Sequence, residues 1–95
     1  MAWNKKAGKK ISKDEATKMI DSFQKEKKDH IRSIYYDKEM LQSLINTPGC
    51  AGVSIYFAKN GNEDALVLVP VDENGKAIWD GESALEVGNP CPPYC

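Results

Sequence analysis

The chain has 95 residues, 41% hydrophobic and 28% charged, with a formal net charge of −1. This is the size of one domain. It carries no overall positive charge to draw nucleic acid, and no apolar run near the roughly 20 residues that cross a bilayer as a helix. The charge is unevenly divided: residues 1–38 hold eleven Lys/Arg against six Asp/Glu, net +5, and residues 39–95 hold two Lys against eight Asp/Glu, net −6. Such a split attracts an acidic partner to one end or drives head-to-tail self-association. A solvated lysine-rich helix beside an acidic sheet gives the same numbers. Met1 to Lys10 holds four lysines with no apolar stretch behind them. It therefore does not read as a secretory signal, and the expected location is cytoplasmic.

In chain order, residues 1–10 lack periodicity and read as a flexible basic arm, with Trp3 either docked on the domain or exposed. Ser12-Lys-Asp-Glu15 is a capping box. Ala16, Met19, Ile20 and Phe23 follow as one helical stripe, which predicts a helix from Lys13 to about Lys28. Residues 31–36 fit either a helix or a short extended link. Asp37 is an N-cap for a second helix, Lys38 to Asn46, stopped by Thr47-Pro48-Gly49. After Gly52 the period becomes two. Val53, Ile55 and Phe57 face one way, and Ser54, Tyr56 and Ala58 the other. Lys59 to Asp64 is a hairpin loop containing Asn-Gly. Ala65 to Val71 is apolar throughout and reads as a central strand. Pro70 belongs near its end or where its missing N–H faces no neighbour. Asp72 to Gly75 is a second turn, Lys76 to Trp79 begins a third strand, and Ala84 to Val87 is a short fourth strand or edge addition. The expected fold is α+β: two N-terminal helices packed on one face of a three- to four-stranded antiparallel meander, in two layers. The domain proper is 11–88, followed by a Cys/Pro-rich tail, 89–95.

That tail, Gly88-Asn89-Pro90-Cys91-Pro92-Pro93-Tyr94-Cys95, holds two of the three cysteines and three of the five prolines. Its proline spacing excludes a helix or a central strand. Cys50, Cys91 and Cys95 admit four readings. Cys50 is a small buried residue and the tail thiols are ordinary; or Cys91 and Cys95 form a disulfide, labile in a reducing cytosol. Alternatively the three thiolates with His30 form a Cys3His set for zinc or iron, or they form a redox centre, although Cys-x-x-Cys is missing. His30 has no obvious catalytic partner, and no nucleophile elbow, zinc-protease motif or phosphate loop is present. The acidic loop 60–64 lacks the closing Glu of a calcium-binding loop.

Aromatic residues point to a surface. If Phe57 is in the core, Tyr56 and Ser54 lie on an uncovered sheet face with Val67 and Val69. Trp79 and Tyr94 are further candidates for an interaction surface, or Tyr94 anchors the tail as a strap over that face.

Pro48-Gly-Cys-x-Gly52-x-x-Ile55-Tyr56, Leu66-Val-Leu-Val69-x-Val71-Asp72-x-x-Gly75 and Pro90-Cys-Pro-Pro-Tyr-Cys95 together resemble an uncharacterised family of small Bacteroidota proteins. The resemblance spans roughly residues 11–95. It implies a helical first half, a strand-rich second half and a bacterial source, with no activity and no catalytic residue to carry over. It also implies that Cys50 and the tail belong to one pattern. The function expected first is a non-enzymatic domain that binds a protein partner or a copy of itself through the open sheet face and the tail. The alternative is a thiol-based metal or redox module built from Cys50, Cys91 and Cys95, with His30. No nucleic-acid or membrane partner is expected, and the first reading needs no cofactor.

Overall fold

A computed structural model describes residues 3–79 and 84–95. Residues 1–2 of the arm, and any continuation of the segment after Trp79 into 80–83, lie outside the described residues. The elements are α1 (Lys13–Glu26), β1 (Ser33–Tyr35), α2 (Lys38–Ile45), β2 (Gly52–Asn60), β3 (Glu63–Val71) and β4 (Asn89–Cys91). The chain is thus α+β with antiparallel pairing.

Both helices start where the sequence places them. The Ser12 hydroxyl accepts from the Glu15 amide at 3.1 Å. The Asp37 carboxylate accepts from the Glu39 and Met40 amides at 2.9 and 3.2 Å. Each bond satisfies a first-turn N–H that has no partner inside the helix. The expected return bond from Glu15 to the Ser12 amide is replaced by a Ser12 hydroxyl–Glu15 carboxylate contact at 3.5 Å.

The sheet differs from a meander. β2 and β3 form a nine-residue antiparallel hairpin in which Asn60 faces Glu63 and Gly52 faces Val71. Its tip is Gly61-Asn62, with Gly61 at φ 67°, a conformation that a two-residue turn requires and glycine adopts freely. β1 pairs instead with β4, Ser33 opposite Cys91 and Tyr35 opposite Asn89. The ambiguous 31–36 segment is therefore extended, and its partner is the tail. The segments expected as third and fourth strands join β3 only through the isolated bridges Val71–Ala77 and Leu68–Leu85.

These bridges make β3 central. Leu68 exchanges both of its backbone bonds with Leu85, at 2.9 and 2.8 Å, the Pro70 carbonyl accepts from the Ile78 amide at 2.8 Å, and the Asp72 amide donates to the Lys76 carbonyl at 2.9 Å. The Leu66 carbonyl accepts from the Tyr36 hydroxyl at 2.9 Å. Even-numbered residues of β3 thus bond to the outer edge, and odd-numbered ones to β2. Pro70 sits in the outward set, so its missing N–H leaves the β2–β3 ladder intact.

The core is small. Among the described residues the buried apolar side chains are Leu44, Ala65, Leu68, Val69, Val71 and Cys91, with Pro70 also fully buried. α2 lies across β2 and β3 and contributes Leu44. The expectation that both helices cover one sheet face does not hold, because α1 buries none of its residues. A two-stranded ribbon is about as wide as a single helix, roughly 10 Å, so it has room for one.

Two close approaches tie down the ends of the chain, one at the turn after β3 and one at β1. Trp3 Nε1 donates to the Glu73 carbonyl at 2.9 Å, and Lys5 pairs with the Glu73 carboxylate at 3.5 Å. The arm is docked on the Asp72–Gly75 turn through Trp3. At Gly88 a Cβ would stand 2.7 Å from the Tyr35 carbonyl oxygen and 2.9 Å from the Tyr36 ring. Gly88→Ala is expected to cost about 1–3 kcal/mol through overpacking against β1, read as a lower urea midpoint.

Burial, and secondarily the Glu86 carboxylate, hold the Tyr36 phenol above its ordinary 10.0. The neutral phenol is favoured in the fold, so its contribution to stability is complete below pH 10.0 and is lost as pH rises through the folded value. Tyr36→Phe is expected to cost about 1 kcal/mol at neutral pH by leaving the Leu66 carbonyl without this donor. It is also expected to flatten the alkaline fall in stability. Urea titrations of both proteins on either side of pH 10.0 check this; equal alkaline slopes would refute the assignment.

Candidate functional site

The apolar stripe of α1 faces outward. Met19 is 66% exposed, and Ile20 and Phe23 are also exposed. β2 adds a second exposed set. Ile55 and Phe57 are 58% and 93% exposed. Cross-strand register places them opposite Leu68 and Leu66 on one hairpin face. The condition on which the open face was read, Phe57 in the core, is therefore not met.

The two sets meet across β1. A groove of about 410 Å³ has Phe23, Ile31, Ile34, Phe57, Ala65 and Leu66 among its walls. A second hollow, about 250 Å³, opens beside Met19, Ile20 and Phe23. Phe23 and Arg32 line both, so the surface is continuous. A third hollow around Arg32 is bordered by Lys25, Lys27 and Lys28, with Asp21 as its single acid. No ion-pair partner of Arg32 is found among the described residues. The positive half of the chain thus borders the apolar groove.

His30 sits at the groove wall. Its Nδ1 lies 3.2 Å from an Asp64 carboxylate oxygen, and Lys59 Nζ lies 3.8 Å from the other. The His30 ring meets the Phe23 ring edge-on, centroids 6.2 Å apart at 73°. These contacts hold the end of α1 against the hairpin tip. His30 thus has a structural partner on β3.

The cysteines divide. Cys91 and Cys95 form a disulfide with Cα atoms 4.8 Å apart, inside the span that such a bond allows. Cys91 is 8% exposed and paired in β4. The tail closes further through the Tyr94 amide, 2.9 Å from the Pro90 carbonyl, and the Cys91 carbonyl accepts from the Arg32 amide at 2.7 Å. Cys50 is a free thiol whose sulfur lies 3.1 Å from the Gly52 carbonyl. Among the described residues no three His, Cys, Asp or Glu side chains are grouped to hold a metal ion. Cys50, Cys91, Cys95 and His30 therefore do not assemble into the ligand set considered for zinc or iron.

The sheet-face residues also separate. Tyr56 is exposed, Ser54 and Val67 are half-buried, and Tyr94 and Trp79 are exposed. Val69 is 0% exposed, which corrects its placement on an open surface. The tail is paired with β1. Sequence reasoning missed Phe23, Ile34, Arg32 and Phe57 as surface residues. Period-two alternation defines two faces without saying which is covered, and an amphipathic helix does not reveal whether anything packs on it.

No helix among the described residues is long and apolar enough to cross a membrane. No protein-family profile, curated protein or solved structure matches the chain.

Alkylation under denaturing conditions without reductant is expected to modify one thiol, and after reduction three. Intact mass distinguishes this from three free thiols or from a retained metal ion.

Proposed function

We propose that this protein is a small non-enzymatic binding domain that takes up a segment of a protein partner in the groove between the end of α1, β1 and the β2–β3 tip. One observation carries the reading: Phe57 stands 93% exposed at the wall of a groove with Phe23, Ile34 and Leu66. A large apolar side chain left in water forgoes about 1.5–3 kcal/mol that burial supplies. Contiguous patches of this kind are a mark of binding sites. Aromatic side chains in such patches are frequent anchors of binding energy.

Lys25, Lys27, Lys28 and Arg32 beside the groove favour a partner with acidic residues flanking its apolar ones. In this reading the tail is a brace. β4 and its disulfide hold β1, which forms one wall. Disulfides persist in oxidising compartments and are reduced in the cytosol, so an intact Cys91–Cys95 bond favours the former over the cytoplasmic expectation.

Selection from a random peptide display library tests the proposal. The peptides retained are expected to combine bulky apolar residues with Asp or Glu and to bind more weakly as salt rises. Phe23→Ser and Phe57→Ser are each expected to weaken binding at least tenfold, about 1.4 kcal/mol. Both positions are exposed, so the fold should survive, as checked by circular dichroism. No enrichment, or affinities unchanged by both substitutions, would refute the groove as the site.

A further inference from the structure

β2 leaves a second binding feature open: its backbone. Leu68 spends both its amide and its carbonyl on Leu85, and Leu68 stands opposite Ile55. In an antiparallel ladder bonded and non-bonded pairs alternate. The residues of β2 that bond to β3 are therefore Gly52, Ser54, Tyr56, Ala58 and Asn60. The N–H and C=O groups of Val53, Ile55, Phe57 and Lys59 point the other way. Among the described residues these four form no backbone hydrogen bond across that edge. The N-terminal arm shares a hollow with Gly52, Val53 and Ser54, so the open stretch begins at Ile55.

Edge strands are usually blunted by charge, proline, a bulge or a covering segment. From Val53 to Ala58 β2 has none of the first three: it contains no charged residue and no proline, and its register with β3 runs without interruption from Gly52 to Asn60. Such an edge is completed by another extended strand.

We propose that β2 pairs antiparallel with β2 of a second copy of this chain, joining the two hairpins into one four-stranded sheet about a two-fold axis near Tyr56. Parity supports this occupant. Only odd-numbered residues point their backbone outward, so bonded pairs must join odd with odd. An axis at Tyr56 puts Ile55 opposite Phe57 of the second copy, apolar against apolar on one face. It puts Tyr56 opposite Tyr56 on the other face, and the paired stretch Ile55–Phe57 holds no charged residue, so no like charges face each other. The pairing is isologous and consumes both open edges, so it closes at two copies. The chain's net charge of −1 sets little repulsion against it. Phe57 lies both on this edge and at the groove wall, so the pairing is tested on the chain alone, with no peptide in the groove.

Sedimentation equilibrium of the full chain over a wide concentration range, with amide hydrogen exchange followed residue by residue, tests the pairing. The expected result is a species of twice the 10.6 kDa chain mass. The amides of Ile55 and Phe57 are expected to gain protection as concentration rises, while those of Ser54, Tyr56 and Ala58 are protected throughout. Ile55→Pro removes an outward donor without touching the β2–β3 ladder and is expected to give a monomer. Ile55→Lys, which alters only a side chain, serves the same end if the proline variant fails to fold. A monomer at every concentration overturns the proposal and leaves the edge to a strand from another protein. A dimer without protection of the odd-numbered amides, or one unaffected by Ile55→Lys, overturns it as well.

Discussion

Burial of β3 obliges its backbone to find hydrogen-bond partners on both edges, because an unpaired amide or carbonyl away from water is costly. β2 supplies one edge. The other is assembled from the Tyr36 hydroxyl, Leu85, Ile78 and Lys76. Four pieces from three parts of the chain are thus drawn to one strand. Leu68, Val69, Pro70 and Val71 are buried where they converge. Pro70 belongs to this arrangement because the outer edge is stitched at single points, where one missing donor costs no ladder bond.

The convergence also sets up the surface. Tyr36 is bonded to Leu66, which holds the end of β1 beside the hairpin. Gly88 lies against Tyr35 and Tyr36 because it lacks a side chain, and so leads β4 into register with β1. The Cys91–Cys95 bond closes the tail behind that strand. β1 then forms a wall between α1 and the hairpin tip, and the His30–Asp64 pair links the two sides. The same small core that this scheme produces leaves the stripe of α1 and the Ile55–Phe57 face without cover. Structural economy and exposed apolar surface have one cause: a two-stranded ribbon shelters one helix.

Charge follows the same division. The lysine-rich end of α1 and Arg32 border the groove, and in the second half Glu73 pairs with Lys5 of the first half, while Asp64 lies beside His30 and Lys59. The split noted in the sequence thus has a partial internal use, since part of the acidic half neutralises residues brought to it from the basic half. Among the described residues Asp21 is the one acid that borders the third hollow with its four cations.

Local features were legible in the sequence. Ser12 and Asp37 start the helices, Gly61 turns the hairpin, Asp72 to Gly75 turns again, and the unbroken apolar run marks β3 as central. Each of these depends on residues within a few positions, where dihedral preference and side-chain reach decide the outcome. The pairing of β1 with the tail, the burial of Val69, the exposure of Phe57 and the isolation of α1 were decided only by tertiary structure. Period-two alternation marks two faces equally, and a helical stripe is the same pattern whether or not a partner covers it. Which face is covered depends on competition among distant segments for one narrow ribbon, and no local pattern encodes that competition. The cysteines show the same limit: the spacing of Cys91 and Cys95 permitted a disulfide, a metal set or free thiols, and the turn at Pro92-Pro93 that brings their Cα atoms within 4.8 Å chose among them.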